Sequence, residues 1–392
     1  MTTKRKIAIF TGNRAEYGLQ YPIIRAISED PRLDYQLLVS GAHLKQDFGK
    51  TLSEIERDGF RVAKEVKIEM PDDTLVATAH AIGSGVQNTS QALAELEPDA
   101  FVVYADRFEG FAAMIAGTQM GIPTAHIEGG DYTEGGALDD SVRHAMTKLA
   151  HLHFTTNEQA AERVRKLGEE PWRVHNVGFP ALDLVAAGLY AKADEVYAKY
   201  ELDRARPVVV FTQHSVTTEF EEAASQVRPS LEALERAAKE LGVQVIMTYP
   251  NDDAGGRRII TELQAFMEKK VAGIQLVPNL GRFNYHGVLG IAAACIGNSS
   301  SGIKETPAFH CACIDIGSRQ RGRLAGDNVL ATGYDAGEIY RAIEKCVRDE
   351  AWKNKVKNCT NPYGAGNAGA KIAEVLATVA LDRTLIQKKM TY

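Results

Sequence analysis

Residues 126–144, HIEGGDYTEGGALDDSVRH, bring together Glu128, Asp131, Glu134, Asp139 and Asp140 with two histidines and an arginine. Gly129, Gly130, Gly135 and Gly136 separate the charges. Carboxylates beside histidines are the groups that proton transfer at carbon, or at a glycosidic oxygen, requires. A solvated acidic loop followed by an ordinary helix cap accounts for the same residues about equally well. Glu128 tips the balance, because it follows an apolar strand directly and precedes Gly129-Gly130, where backbone can approach a ligand closely. Asp139 and Asp140 are both good N-caps for the helix that restarts there. Asp139 and Arg143 stand four residues apart on one helix face, a spacing also shared by surface ion pairs worth roughly a few tenths of a kcal/mol.

A second set of residues suits an anion. Residues 298–305, NSSSGIKE, place Ser299, Ser300, Ser301 and Gly302 at a helix start, where free backbone N–H groups and the positive end of the helix dipole face a negative charge. Glu305, further into that helix, is placed to take two vicinal hydroxyls of a ribose, although a plain N-cap with spare serines fits as well. Arg319, Arg321 and Arg323 follow the next strand, and of these Arg319 carries the weight; a solvated basic loop is the plain alternative. Thr11-Gly12-Asn13-Arg14 follows the first strand but is not GxGxxG and lacks the Walker lysine, which argues against classical dinucleotide binding and ATP hydrolysis. Gly12 permits the turn and Arg14 can pair with phosphate, as a simple surface turn also would. His214, just past a buried-looking strand, and Asn251 in Tyr249-Pro250-Asn251-Asp252-Asp253 end the inventory at two more strand ends.

Strands and helices must alternate to put these groups on loops. The pattern predicts strands over 6–11, 35–39, 99–104, 122–127 and 152–155, with helices over 15–28, 54–58, 74–96, 108–120, 139–148 and 158–166 between them. After a polar, Ala-rich connection at 185–206, a second series begins. It has strands at 208–211, 243–248, 274–277, 295–297 and 313–316, and helices at 221–241, 257–269, 285–293, from 298 onward, and 370–380. Alternation of this kind means parallel, doubly wound sheets, with the loops after each strand on one rim. Pro307 lies past the first turn of the helix from 298, which must therefore start irregularly. The domains expected are 1–185, with the carboxylates; 186–365, with the nucleotide site; and 366–392, a helix packing back on the first, with a cleft between the two lobes.

At 392 residues the chain is long enough for two cores. A net charge of −6 argues against a nucleic-acid surface, which needs clustered Lys and Arg. No apolar run approaches membrane-spanning length, and the N-terminal apolar run stops at Phe10, too soon for a signal peptide. Five unpatterned cysteines leave zinc a poor candidate and suit reduced thiols in a cytoplasmic protein.

Taken in order, TGNRAEYG, ADRFE, HIEGGD, DDSVRHAMTKLAHLHF, TQHSVTTE, YPNDDAG, GNSSSGIKE and IGSRQRGR resemble the hydrolysing UDP-N-acetylglucosamine 2-epimerases of sialic acid biosynthesis over residues 6–367. The resemblance implies an α/β, GT-B-like fold of two Rossmann-type doubly wound parallel-sheet domains with an interdomain cleft. It implies that Arg14, Ser299, Ser300, Ser301, Gly302, Glu305 and Arg319 hold UDP, that Arg107, Arg143 and Asn251 contact substrate, and that Asp106, Glu128, Asp139 and His214 carry acid/base chemistry. The activity implied is conversion of UDP-N-acetylglucosamine to N-acetylmannosamine and UDP through a 2-acetamidoglucal. The alternatives are hydrolysing epimerases of UDP-diacetamido-trideoxyglucose or GDP-N-acetylglucosamine, and a non-hydrolysing enzyme. No redox cofactor or metal is called for, since hydrogen moves as a proton. The partner expected is a UDP-sugar, with no nucleic acid or membrane, and a homodimer or homotetramer is the assembly expected. Two departures stand out: Ala105 and His310 each occupy a position where the resemblance expects glycine, and both are expected to alter local backbone.

Overall fold

In a computed structural model, every residue is described except 1–3, 45–51, 71–73, 133–136 and 252–254; residues 14, 15, 42, 75, 137, 138 and 217 are described in their backbone only. The chain divides into two compact units, one of Met1–Asp131, Leu138–Asp183 and Gly364–Tyr392, the other of Tyr132–Ala137 and Leu184–Tyr363.

The first unit is built on β1 (Arg5–Thr11), β2 (Leu33–Ser40), β3 (Val62–Val66), β4 (Ala100–Tyr104), β5 (Thr124–Ile127), β6 (Leu152–Thr155) and β7 (Val174–Asn176). They pair in the order β3-β2-β1-β4-β5-β6-β7, all parallel. The second unit repeats the plan with β8 (Val208–Thr212), β9 (Gln244–Met247), β10 (Ile274–Leu276), β11 (Ala292–Gly297), β12 (Ala312–Ile316) and β13 (Val329–Thr332), ordered β10-β9-β8-β11-β12-β13. Central strands such as Ala100–Tyr104 and Val208–Thr212 are buried at every position, so they read as unbroken apolar runs rather than alternating ones. These are the two Rossmann-type sheets of a GT-B-like fold class. In each sheet the strand order reverses once, between β1 and β4 in one and between β8 and β11 in the other. Open α/β sheets take ligands at the carboxyl ends of the strands beside such a reversal.

Several elements depart from the sequence reading. The helix at 137 starts at Ala137, so Asp139 and Asp140 lie in its first turn instead of capping it. The helix expected at 285–293 is Gly281–Leu289, and β11 already begins at Ala292. An alanine run there favours helix in isolation, but its place between β8 and β12 overrides that propensity. The helix after Asn298 is only Ser300–Lys304; Pro307 sits in a separate 3-10 turn, Thr306–Phe309, because it has no N–H with which to continue an α-helix. Glu305 is therefore the C-cap residue of a short helix rather than an interior position.

Two cations, buried Arg173 and half-buried Lys388, fasten the last residues of the chain to the first unit. Arg173, fully buried, donates to the backbone oxygens of His151, Leu385, Thr384 and Gln387. Lys388 Nζ lies 2.7 Å from Glu169 Oε2 and donates to the carbonyls of Lys148 and Ala150, each at 2.7 Å. Burial alone would push Glu169 up, but its bonds to His153, Lys148 and Lys388 hold it at about 2. In the second unit lie all five cysteines, none in a disulfide; Cys295, Cys311, Cys313 and Cys346 are buried. Burial pushes the Cys295 and Cys346 thiols up to about 12. No helix among the described residues is long and apolar enough to cross a membrane.

Removing one partner of a buried charge pair leaves the other uncompensated, at a cost of about 3–5 kcal/mol. Because Lys148 still serves Glu169, Lys388→Met is expected at the lower end of that range. Urea denaturation measures it, and a loss below about 1 kcal/mol would show that the tail is not tied down in this way.

Candidate active site

In the first unit the ladder runs one residue past the ends of β4 and β5. Ala105 N–H donates to Ile127 O at 3.0 Å, and Glu128 N–H donates to Phe154 O at 2.9 Å. The chain then turns sharply, with Ala105 at φ 57 and Glu128 at φ 65, in the left-handed region that costs an L-residue about 1–2 kcal/mol. Fully buried His126 braces the turn, its Nε2 bonded to Ala105 O at 2.6 Å and its Nδ1 3.1 Å from Thr147 Oγ1. A carbonyl can only accept, so the ring hydrogen lies on Nε2. Burial pushes His126 down to about 4, which makes this histidine of the acid-rich stretch a strut at neutral pH instead of a proton carrier.

Glu128 is buried, and Tyr104 stands beside it. The Tyr104 hydroxyl is pushed well above its ordinary range, first by burial and then by Glu128, Glu16 and Asp131. Asp106, just past the strained Ala105, forms a salt bridge with Arg143, which is itself buried and also 3.3 Å from Asp140. On the turn that carries both, Asp139 is exposed and Asp140 buried. Arg107 is exposed and pairs through Nε with buried Glu109 at 3.2 Å.

The turn after β1 is organised by a residue the sequence reading passed over. Asn13 Oδ1 accepts from Glu16 N–H at 3.0 Å, while Glu16 Oε2 accepts from Gly12 N–H at 3.3 Å, a reciprocal arrangement close to a capping box. Gln20 Nε2 donates to Glu16 Oε1 at 2.7 Å. Burial, and then the neighbouring Glu109, push Glu16 up to about 8. The Arg14 side chain lies outside the described residues, as do Glu134, Asp252 and Asp253.

In the second unit, Asn298 closes the gap where the sheet reverses. Its Oδ1 accepts from His214 N–H at 2.6 Å and its Nδ2 donates to His214 O at 2.8 Å. Its own carbonyl accepts from Arg319 Nη1 at 3.0 Å and Gln320 Nε2 at 2.8 Å. One buried asparagine thus fastens a histidine and an arginine at the ends of β8 and β12. Gly297 before it has φ 128, and a Cβ there would lie 1.9 Å from Thr212 O. Asn251 holds the ring from two sides: its N–H lies 3.1 Å and its side-chain Oδ1 2.7 Å from His214 Nδ1. Burial first, and Arg319 second, push His214 down to about 3, against the Asn251 bond that raises it. His214 is accordingly a neutral imidazole at pH 7.

The serines have separate tasks. Ser299 caps the short helix, its hydroxyl accepting from Ser301 N–H at 3.4 Å. Ser301 Oγ donates to Glu305 Oε2 at 2.7 Å, and Gly302 N–H donates to Ser299 O at 3.1 Å. A Cβ on Gly302 would meet Cys313 Sγ at 2.9 Å, so close packing on β12 accounts for that glycine. Ser300 is half-buried at the helix start.

The structure thus sets Asp106, Arg107 and Glu128 at neighbouring strand ends of the first unit, with Arg143 reaching Asp106 from the helix Ala137–Leu149 and Asp139 exposed on that helix. It groups His214, Asn251, Ser299, Ser300, Ser301, Gly302, Glu305 and Arg319 at those of the second. Sequence reasoning missed Tyr104, Glu109, the pairing of Asp140 with Arg143 and the bridging role of Asn298. It also missed Glu16, which the Asn13-x-x-Glu16 spacing could have revealed. Among the described residues no group of His, Cys, Asp or Glu is arranged to hold a metal ion.

Two measurements follow from this geometry. Ala105 keeps a glycine-like conformation, so Ala105→Gly relieves strain at the expense of backbone entropy and should stabilise by up to about 1 kcal/mol in urea denaturation; a destabilised variant would refute the strain. Glu16 binds its proton more tightly folded than unfolded. The resulting stability is full below pH 4.5 and is lost as pH rises through about 8. Glu16→Gln does not titrate, so its stability relative to wild type should rise between pH 5 and pH 9; parallel curves would contradict the buried acid.

The family described as UDP-N-acetylglucosamine 2-epimerase matches residues 25–377. The chain is 33% identical over 383 residues to the GDP/UDP-N,N'-diacetylbacillosamine 2-epimerase (hydrolyzing) of Campylobacter jejuni subsp. jejuni, covering 98% of each. It is 32% identical over 343 residues to the UDP-N-acetylglucosamine 2-epimerase of Neisseria meningitidis serogroup B, covering 87% of each. A crystal structure of UDP-GlcNAc 2-epimerase from Neisseria meningitidis bound to UDP-GlcNAc has the same fold, with a TM-score of 0.80 at 18% identity over 95% of this chain and 99% of that one. On the extent of these matches, the chain belongs to the UDP-N-acetylglucosamine 2-epimerase family of enzymes.

Proposed function

We propose that the protein is a hydrolysing 2-epimerase of a UDP-linked 2-acetamido sugar, converting UDP-N-acetylglucosamine and water to N-acetylmannosamine and UDP. The observation that carries this reading is Glu128, a buried carboxylate on a strained turn beside the Asp106–Arg143 pair. Strain kept at a strand end in a ligand-binding position is characteristic of a working residue. A second reading, UDP-N,N'-diacetylbacillosamine as substrate, is favoured by the 33% identity to the Campylobacter enzyme over 98% of both chains. The reaction type is the same in both.

In the first half-reaction a carboxylate, Glu128 or Asp106, takes the C2 proton as the C1–oxygen bond breaks. The electron pair of the C–H bond forms the C1–C2 double bond of a 2-acetamidoglucal, and UDP leaves with the bonding pair of the C1–O bond. In the second, water adds its oxygen to C1 and C2 receives a proton on the opposite face. Two faces need at least two proton carriers, each worth roughly 10²–10⁴ in rate. His214 acts as a neutral donor toward the leaving diphosphate, and Arg319 and the Ser300 turn complete the anion site. The likeness-derived roles of Arg14, Arg107, Asp139 and Asn251 in binding and proton transfer belong to the same proposal.

The test offers UDP-N-acetylglucosamine and UDP-N,N'-diacetylbacillosamine separately in D₂O, with NMR of the products. Free UDP and a 2-epimerised sugar carrying deuterium at C2 are expected from one of them. Glu128→Gln should lower kcat by roughly 10²-fold or more. An epimerised sugar still joined to UDP would point to the non-hydrolysing reaction, and protium retained at C2 would exclude proton abstraction by exchangeable carboxylates.

A further inference from the structure

Behind the serine turn, Glu305 is held by a residue from a different element. His286, on the helix Gly281–Leu289, is buried, and its Nε2 lies 3.1 Å from Glu305 Oε2. Ser301 Oγ donates to the same oxygen at 2.7 Å. An ionised carboxylate only accepts, so Nε2 carries the ring hydrogen toward it. Burial alone would push Glu305 up, but the His286 and Ser301 bonds hold it below the usual carboxylate range. Both bonds fall on Oε2. Oε1 forms no hydrogen bond among the described residues, and the side chain keeps 9% of its surface exposed. A carboxylate anchored on one oxygen and open on the other is prepared to accept from a pair of neighbouring hydroxyls.

Building on the UDP-sugar reading above, we propose that His286 is a positioning residue that turns Glu305 toward the vicinal 2′- and 3′-hydroxyls of a ribonucleoside diphosphate, making the site select ribose over 2′-deoxyribose. His286 touches no substrate in this scheme; it fixes the carboxylate that does. Ser301 spends its hydroxyl on the same carboxylate and so contributes to sugar recognition more than to the diphosphate.

Calorimetric binding of UDP and of 2′-deoxy-UDP to the full chain tests this, with His286→Gln and His286→Asn beside wild type. The terminal amide of Gln overlays Nε2 and can still donate to Glu305, whereas the shorter Asn cannot. Wild type should prefer UDP by roughly tenfold or more, as expected for a hydrogen bond to a charged group. His286→Gln should keep most of that ratio, and His286→Asn should bring it to within about twofold while 2′-deoxy-UDP affinity stays nearly unchanged. A full wild-type ratio in His286→Asn, or UDP binding to wild type with no ribose preference, overturns the role of His286 and leaves the UDP-sugar reading standing. Absence of UDP binding to wild type takes down that reading and this one together.

Discussion

The first unit depends on two peptide groups that remain hydrogen-bonded to a neighbouring strand after their own strands have ended. Ala105 and Glu128 keep their N–H groups in the ladder, so the chain has no gradual way to leave the sheet and must turn through positive φ. That abrupt exit puts Asp106 and Glu128 immediately above the sheet rather than at the tip of a wandering loop. The strain at each turn is small beside the packing that enforces it, with β4 and β5 buried at every position and His126 bonded behind them. Groups carried on so short a tether have little freedom to drift, which proton transfer to a particular carbon demands.

The second unit fixes the residues at its strand ends without strain at His214 itself. Asn298 bonds both backbone groups of His214, and its carbonyl receives Arg319 and Gln320. A side-chain amide here replaces the missing ladder partner, and glycine at 297 absorbs the difficult backbone. Burial first, and the Arg319 cation beside the ring second, keep His214 from becoming an imidazolium. Arrival of an anion would relieve that bias.

Much of this was legible in the sequence because buried parallel strands and helix caps write themselves in short range. β6 and the helix Glu158–Lys166 sit where the apolar run and Asn157 place them. The strands that escaped, β3, β7 and β13, all lie at sheet edges, where short, partly exposed segments lose the apolar signature of the centre. Side-chain partnerships across the fold were less legible. Nothing near His286 in sequence announces Glu305, and Asp140 is indistinguishable from Asp139 until the helix start at Ala137 decides which one is buried. Ala105 and His310 are instructive in another way. Where the resemblance expects glycine, both adopt left-handed backbone, φ 57 and φ 52, a region that glycine enters at no steric cost.

The placement of the thiols has a practical side. With every cysteine in the second unit and four of the five sealed inside it, alkylation beyond the single half-buried Cys359 can proceed only when that unit opens. The natural sequence therefore carries its own chemical clock for the breathing of one half of the molecule, blind to the other, with no label to install.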